Sequence, residues 1–438
     1  MCAAPQHSTV VEIASYCRTE LCENYRHLVG AKTIHELLSD SIKPTIHQAS
    51  AIGGSPSNGG CEHSSRQVAE DGDSPPNCDG RYTLLHETHI ALFSVYHMEE
   101  IEGTVLAGQS FEPIHGRVVV EDGYITAVEE VSERDGDPDR IILPAFVNAH
   151  THVGDSVAKE AAVGLGLEEA VAPPDSLKHQ RIEAADNETL VTSMHRTLRF
   201  MQRTGTAAFL DFREFGVDGA RALREAAAGL DIAAFIFGSD DPAVLDVADG
   251  FGASGANDDE FTARRAAAEE RGVPFAIHAG EPDATDIHPA LDLEPDLLVH
   301  MVHAEAEHLR RVADQDVPIA VCPRANRVLG VGRPPIETLL EYTSVALGSD
   351  NVMLNSPSMF REMEYTAKTF DLPSRTVLQM ATTAGAEAVN LDCGVIEPGR
   401  RAALLVLDGD SDNLSGIADP VDAIVRRASA LDIQRVIA

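Results

Sequence analysis

The 438-residue sequence contains no tryptophan and only five lysines: Lys32, Lys43, Lys159, Lys178 and Lys368. Basic residues are scarce altogether, 34 Lys and Arg against 70 Asp and Glu, for a formal net charge of −36 at pH 7. A chain so poor in positive charge lacks the basic patch that phosphate binding needs, so neither nucleic acid nor an anionic membrane surface is an expected partner. Acid excess with little lysine fits adaptation to concentrated salt, where self-repulsion is screened. No apolar run reaches the ~20 residues of a membrane span. The N-terminus has no basic stretch followed by an apolar one, so a cytoplasmic protein is expected. The seven cysteines are odd in number, and their spacing suggests no disulfide framework.

What is present is ample core material: 44% of residues are hydrophobic, which excludes wholesale disorder. Composition changes abruptly near residue 98. Residues 1–97 hold five of the seven cysteines, eight of the eighteen histidines and a Gly/Ser/Pro-rich stretch over 49–80. One short helix is expected around Val10–Leu28, and the rest resembles linker. The pairs Cys17/Cys22 and Cys61/Cys78 lack the CxxC spacing of a structural zinc site. Met98 is therefore read as the natural start, with 1–97 a disordered or mis-assigned extension of no catalytic role. After Met98, strand alternation appears in Gly103–Ala107, Gly116–Val120 and Tyr124–Val128, with Asp122-Gly123 as a turn between the last two.

From Ile141 onward, apolar strands alternate with amphipathic runs such as 219–228 and 259–271. The strand candidates are 141–149, 206–211, 232–237, 273–278, 297–302, 317–322 and 344–348, with a weaker one near 247–252. Eight βα units over about 250 residues predict an α/β fold, a closed (β/α)8 TIM-type barrel whose chemistry sits at the C-terminal ends of the strands.

Four motifs meet that test. Leu143-Pro-Ala-Phe-Val-Asn-Ala-His150-Thr-His152 closes an apolar run with two histidines at i and i+2, which share one side of a strand and can meet one cation. Phe275-Ala-Ile-His278-Ala-Gly-Glu281 ends a strand in histidine and places a carboxylate three residues on, fit to shuttle protons without ligating. Leu297-Leu-Val-His300-Met-Val-His303 puts one histidine inside a strand and one at its exit, and Ser344-Val-Ala-Leu-Gly-Ser-Asp350 closes another run with an aspartate. Each motif alone has an ordinary explanation, such as a helix cap or a core histidine. Converging on one rim, they describe N/O ligands around a catalytic metal site with an open position.

These residues resemble the amidohydrolase superfamily of metal-dependent hydrolases, more narrowly its deaminase-like branch with adenosine deaminases, guanine deaminases and triazine hydrolases. The likeness covers essentially all of 98–438. It implies that 98–140 begins a small β-sandwich, that 141–393 is the barrel, and that 394–438, with Gly394-Val-Ile-Glu-Pro-Gly-Arg-Arg-Ala-Ala-Leu-Leu-Val-Leu-Asp408, returns to the sandwich and ends the chain. The family's usual aspartate before Leu-Leu-Val-Leu is replaced here by Ala402 or Ala403. By position, His150, His152, His278 and Asp350 would ligate the metal. Glu281 would be the general acid/base, with Asp350 helping to manage the proton, and His300 would hydrogen-bond or ligate the attacking hydroxide. Cys322-Pro-Arg-Ala-Asn326 resembles the family's CPxSN segment, with Ala325 in place of serine, which puts Asn326 near the substrate; His303 fits the second histidine of the family's HCVH-like segment and is expected just behind the substrate contacts. Lys159 and Lys178 lie where such enzymes build the substrate pocket, and are read either as contacts for an anionic or carbonyl group or as part of a solvated helix. No lysine falls between Lys178 and Lys368, so the carboxylated lysine that bridges two metals in binuclear members has no counterpart, and a single ion is expected. Zinc leads, with iron(II) or manganese(II) as alternatives. Deamination of an aminated heterocycle is the expected reaction on a small-molecule substrate. Hydrolysis of a cyclic amide or another leaving group stays open, as do a catalytically silent barrel used for binding and a homo-oligomeric state.

Overall fold

A computed structural model describes residues 98–132 and 139–438. The expectations for 1–97 lie outside these residues. Fifteen strands are described, and they form two sheets.

The first sheet is built from the segments that flank the second sheet in the chain. Strands β1 (Met98–Ala107), β2 (Glu112–Glu121), β3 (Tyr124–Glu130), β4 (Arg140–Pro144), β14 (Leu404–Asp408) and β15 (Ile433–Ile437) run in the order β15-β14-β4-β1-β2-β3. All neighbours are antiparallel except β1 and β4. Alternate residues of these strands, among them Val105, Val118, Ile142, Leu404 and Val406, bury one face in a shared apolar cluster. The expected single strand 141–149 is thus two. Residues up to Pro144 pair in this sheet, Ala145 belongs to neither, and Phe146 opens the next.

The second sheet is parallel throughout. It contains β5 (Phe146–His152), β6 (Thr206–Arg213), β7 (Ala233–Gly238), β8 (Gly250–Gly255), β9 (Phe275–Ala279), β10 (Leu297–His300), β11 (Ile319–Val321), β12 (Val345–Leu347) and β13 (Asp350–Asn351), in the order β12-β11-β10-β9-β8-β7-β6-β5-β13. Each observed strand lies within a few residues of its sequence expectation, including the weak one near 250. Alternation divides the sheet's residues between two cores. Ala208, Leu210, Phe237, Ala276, Leu297, Val299, Ala320 and Ala346 pack on one face. Ala207, Phe209, Phe275, Ile277, Leu298, Ile319, Val321 and Val345 pack on the other, against the helices. A parallel sheet covered on both faces needs such continuously apolar strands. Helices intervene as expected; Asn187–Arg203, for example, starts at Asp186, whose side chain accepts from the Thr189 amide at 2.8 Å.

The sheet's two end strands are nearly continuous in the chain, since just Gly348 and Ser349 separate β12 from β13. β12 pairs with β11, and β13 pairs with β5. Asn148 of β5 stitches this junction reciprocally, donating Nδ2 to Ser349 Oγ at 2.8 Å while its Oδ1 accepts from the Ser349 amide at 2.9 Å. Histidines and aspartates from both ends of the sheet thereby meet.

Candidate metal centre and cavity

His150 and His152 are the last residues of β5 but two and the last, His278 is near the end of β9, His300 ends β10, and Asp350 opens β13. The histidines thus lie at or near the C-terminal ends of their strands, as the sequence led us to expect, while Asp350 lies three residues beyond the end of β12 and begins a short strand of its own. Their side chains converge. His278 Nε2 lies 3.3 Å from His150 Nε2, and Asp350 Oδ1 lies 3.5 Å from His150 Nε2 and 3.7 Å from His152 Nε2. Phe212 packs edge-on against both His150 and His278, with centroids 4.7 Å away in each case.

Backbone geometry places two of these residues. His300 (φ +77°) and Asp350 (φ +59°) both sit in the left-handed region, which costs a non-glycine residue of the order of 1–3 kcal/mol. By strict alternation from the inward-facing Val299, His300 would face the helices. The left-handed turn takes it out of strand geometry and brings its ring 5.4 Å from that of His278 and 5.7 Å from that of His150.

Hydrogen bonding fixes which ring nitrogens carry protons. His278 Nδ1 donates to the Ala253 carbonyl at 2.9 Å, and His152 Nδ1 donates to Glu214 Oε1 at 2.8 Å. Both Nε2 lone pairs are therefore turned towards Asp350 and His150. Burial holds the His150, His278 and His300 imidazoles well below their ordinary pKa, so they are neutral. Neutral nitrogens and a carboxylate gathered in a buried place form the donor set of a divalent cation. Their spacing agrees, because donors ~2.1 Å from a tetrahedral zinc ion stand ~3.4 Å apart, and the observed separations are 3.3, 3.5 and 3.7 Å. The residues present thus fit a metal ion.

His300 comes within 4.8 Å of the His150 and His278 ligand atoms, but its own hydrogen bonds run elsewhere. Asn326 Nδ2 donates to His300 Nδ1 at 3.1 Å and to Glu281 Oε1 at 3.4 Å. With Nδ1 accepting, the proton sits on His300 Nε2, which faces Glu281 Oε2 at 3.5 Å. Of the two roles open to His300, this tautomer favours hydrogen bonding over ligation. Burial and then the Asp350 charge push the Glu281 carboxyl well above the usual range, as a general acid requires.

The cluster opens into a cavity of about 550 Å³, within the range of small-molecule sites. Its walls include His152, Lys178, Phe215, Phe261 and Glu281. The four residues expected at or just behind the substrate fare unequally. Lys178 lines the cavity, but its ammonium is 2.8 Å from Glu214 Oε1. Asn326 is fully buried and holds Glu281 and His300 from behind rather than lining the cavity. Lys159 is exposed and His303 donates to the Val331 carbonyl at 2.9 Å; neither lines the cavity.

Sequence reasoning missed Arg213 and Glu214. Burial alone would raise the Glu214 carboxyl, but Lys178 and Arg213 beside it hold it well below the usual range. The signal was available: β6 is wholly buried yet closes on Asp211-Phe-Arg213, with Glu214 next, the same polar ending to an apolar run that marked the histidine strands. A second candidate cluster, His288, Glu307 and His308, is of another kind. Arg311 donates to His288 Nδ1 and the Glu305 amide to His308 Nδ1, which leaves protons, not lone pairs, on both Nε2 atoms.

A parallel sheet with histidines at its strands' C-terminal ends and an aspartate beside them, around a carboxylate poised for proton transfer, defines a hydrolase of the metal-dependent type. The amidohydrolase family model matches residues 141–438. A protein of Methanothermobacter thermautotrophicus, provisionally named an aminohydrolase, is 34% identical over 377 residues, spanning 76% of this chain and 95% of that protein. A 5-methylthioadenosine/S-adenosylhomocysteine deaminase of Halobacterium salinarum is 27% identical, over 77% and 90% of the two chains. Among solved structures, the zinc complex of an atrazine chlorohydrolase from Arthrobacter aurescens superposes with TM-score 0.64 at 19% identity, covering 77% of this chain and 93% of that one. Guanine deaminase from C. acetobutylicum, with guanine bound, gives TM-score 0.59 at 16% identity, covering 78% and 98%. The chain belongs to the amidohydrolase family. It is a hydrolase of carbon–nitrogen bonds. No helix among the described residues is long and apolar enough to cross a membrane.

Proposed function

We infer that this protein hydrolytically deaminates an aminated heterocycle with the help of one divalent ion, zinc in the first instance. The parallel sheet is read as a closed (β/α)8 barrel, and the six-stranded sheet as the small β-sandwich beside it. The observation that carries the reading is the 3.3–3.7 Å convergence of His150, His152, His278 and Asp350 next to the Glu281–His300 pair. The names of the deaminase relatives support it.

His150, His152, His278 and Asp350 would hold the ion, which when bound supplies the Lewis acidity that makes water a nucleophile at neutral pH. Water adds to the amino-bearing ring carbon. Glu281 moves the protons, one to the ring nitrogen and one to the amino group, which departs as ammonia while the carbon keeps the water's oxygen. Asp350 assists as a second proton acceptor. His300 Nε2–H faces the same place and steadies the oxygen on the tetrahedral carbon. Asn326 keeps Glu281 and His300 in register by donating to both. The buried Phe212 and Phe261 rings in the cavity wall suit a planar apolar ring.

The test is an ammonia-release screen of aminated purines, pyrimidines, triazines and their nucleosides with the zinc-loaded protein. Stoichiometric ammonia together with the oxo product is expected for at least one ring class. Turnover without ammonia, as in halide release or ring opening, would refute deamination.

A further inference from the structure

We propose that Lys178 is a positioning residue for the metal centre, acting through Glu214 on His152, and not a contact for substrate. The inference rests on the metal-centre reading above.

Three groups share one carboxylate. Glu214 Oε1 accepts from His152 Nδ1 and from Lys178 Nζ, each at 2.8 Å, while Oε2 accepts from Arg213. The side chains are deeply placed, with relative exposures of 13% for Glu214, 7% for Lys178 and 2% for Arg213. Arg213 also approaches Asp211 Oδ1 at 3.6 Å, and Asp211 Oδ2 accepts from Thr151 Oγ1 at 2.9 Å and from the Val153 amide at 2.6 Å. Two cations and two carboxylates thus form a network that grips β5 on either side of His152.

The fold makes room for it. A Cβ at Gly154 would lie 2.0–2.2 Å from the Arg213 guanidinium, so only glycine admits that side chain there. Lys178 comes from helix Leu177–Ala184, far along the loop after β5, and its ammonium has a buried anion as its partner. A lysine committed to a buried carboxylate is a poor anchor for a substrate anion, because turning to the anion would strip Glu214 Oε1 of its cation and leave the carboxylate with Arg213 alone. An ionised, fixed carboxylate on His152 Nδ1 instead holds the ring tautomer with Nε2 free and raises its basicity. Removing such outer partners commonly weakens metal binding about 10–100-fold.

The test is competition for Zn2+ between a chromogenic chelator and the zinc-stripped full-length protein. Wild type, Lys178→Met, Lys178→Arg and Glu214→Gln are compared, each first checked for a cooperative thermal transition. Lys178→Met should weaken zinc binding about 10–100-fold, and Lys178→Arg should recover most of the loss. Glu214→Gln keeps the shape, serves should Lys178→Met not fold, and should weaken binding in the same direction. A merely structural lysine is separated by a double-mutant cycle: in a His152→Ala background, Lys178→Met should cost no further zinc affinity. Zinc affinity within twofold of wild type for both Lys178→Met and Glu214→Gln, or additive losses in the cycle, would overturn the proposal. A wild-type protein that binds no zinc would overturn the metal-centre reading itself, and this inference with it.

Discussion

A Cβ placed on Gly348 would lie 2.7 Å from the Cβ of His150 and 2.8 Å from its amide nitrogen. The junction between β12 and β13 therefore crosses β5 at the one kind of residue that permits the approach, and that approach brings Asp350 Oδ1 to within 3.5 Å of His150 Nε2. Gly348→Ala must push the two segments apart. The expected outcome is a loss of roughly 1–3 kcal/mol, typical of overpacking, together with weakened metal binding as Asp350 withdraws. Thermal unfolding with and without zinc checks both parts, and an unchanged zinc-dependent shift would contradict the placement of Asp350.

Glu281→Gln keeps the shape of the side chain and its place beside Asn326 but cannot release and regain a proton. Turnover should fall by about 10²–10⁴, while metal content stays at the wild-type level because Glu281 lies outside the ligand set. Ammonia release and elemental analysis on the same preparation decide it. Near-normal turnover would remove Glu281 from the chemistry.

Asn326→Leu removes the donor shared by Glu281 and His300 without touching any residue assigned to the metal. The expected effect is on kcat more than on KM, since Asn326 lies behind the cavity wall. A rise confined to KM would restore the substrate contact that the sequence suggested for this residue.

The sequence exposed the residues that converge at the candidate site because several histidines and an aspartate close different apolar runs, a coincidence that the ordinary explanation of each one alone does not cover. His150, His152, His278, His300 and Asp350 were legible in that way, and Glu281 by its offset from His278. What was illegible depends on contacts distant in the chain. Nothing local to Lys178 announces that its ammonium meets Glu214, so the residue looked like a free charge in a pocket loop. Asn326 looked like a wall residue because its motif reveals a position and not a direction. Lys159 fell in the same loop as Lys178, yet lies on its solvent side. The break at Ala145 was hidden because apolar residues continue across it while the pairing partner changes from β14 to β6.

Glu362 provides a pH signature outside the proposed ligand set, though the Asp350 charge adds to its shift, so the measurement is made at fixed metal content. It is fully buried, and burial pushes its carboxyl up to about 7 despite the Arg324 guanidinium at 3.1 Å. An unfolded chain would ionise it at the ordinary value near 4.5. Between those limits the folded protein holds a proton that the unfolded one lacks, so stability from this group falls as pH rises from about 4.5 to 7. The maximal slope is roughly 1.4 kcal/mol per pH unit. Glu362→Gln should flatten the unfolding midpoint against pH across that window relative to wild type. A parallel profile would show that Glu362 is ionised in the folded state.

Metal removal tests the centre as a whole. Stripping the ion leaves neutral imidazoles and the Asp350 carboxylate facing one another in a buried place, where an unpaired charge is costly. Anything that binds the folded state alone adds RT ln(1 + [L]/Kd), about 4 kcal/mol at free zinc 1,000 times Kd. Chelation should therefore lower the unfolding midpoint by several degrees and abolish ammonia release, and zinc should restore both. Elemental analysis should find one equivalent per chain, because the proposed ligands gather around His150 Nε2, 3.3 Å from His278 Nε2 and 3.5 Å from Asp350 Oδ1, and no lysine on β7 or β8 is present to bridge a second ion. Two equivalents, both needed for turnover, would require a second donor set built around His300 and Cys322, whose ligand atoms lie within 4.8 Å of one another and of Asp350. That outcome would move the reaction from deamination towards ring opening of a cyclic amide.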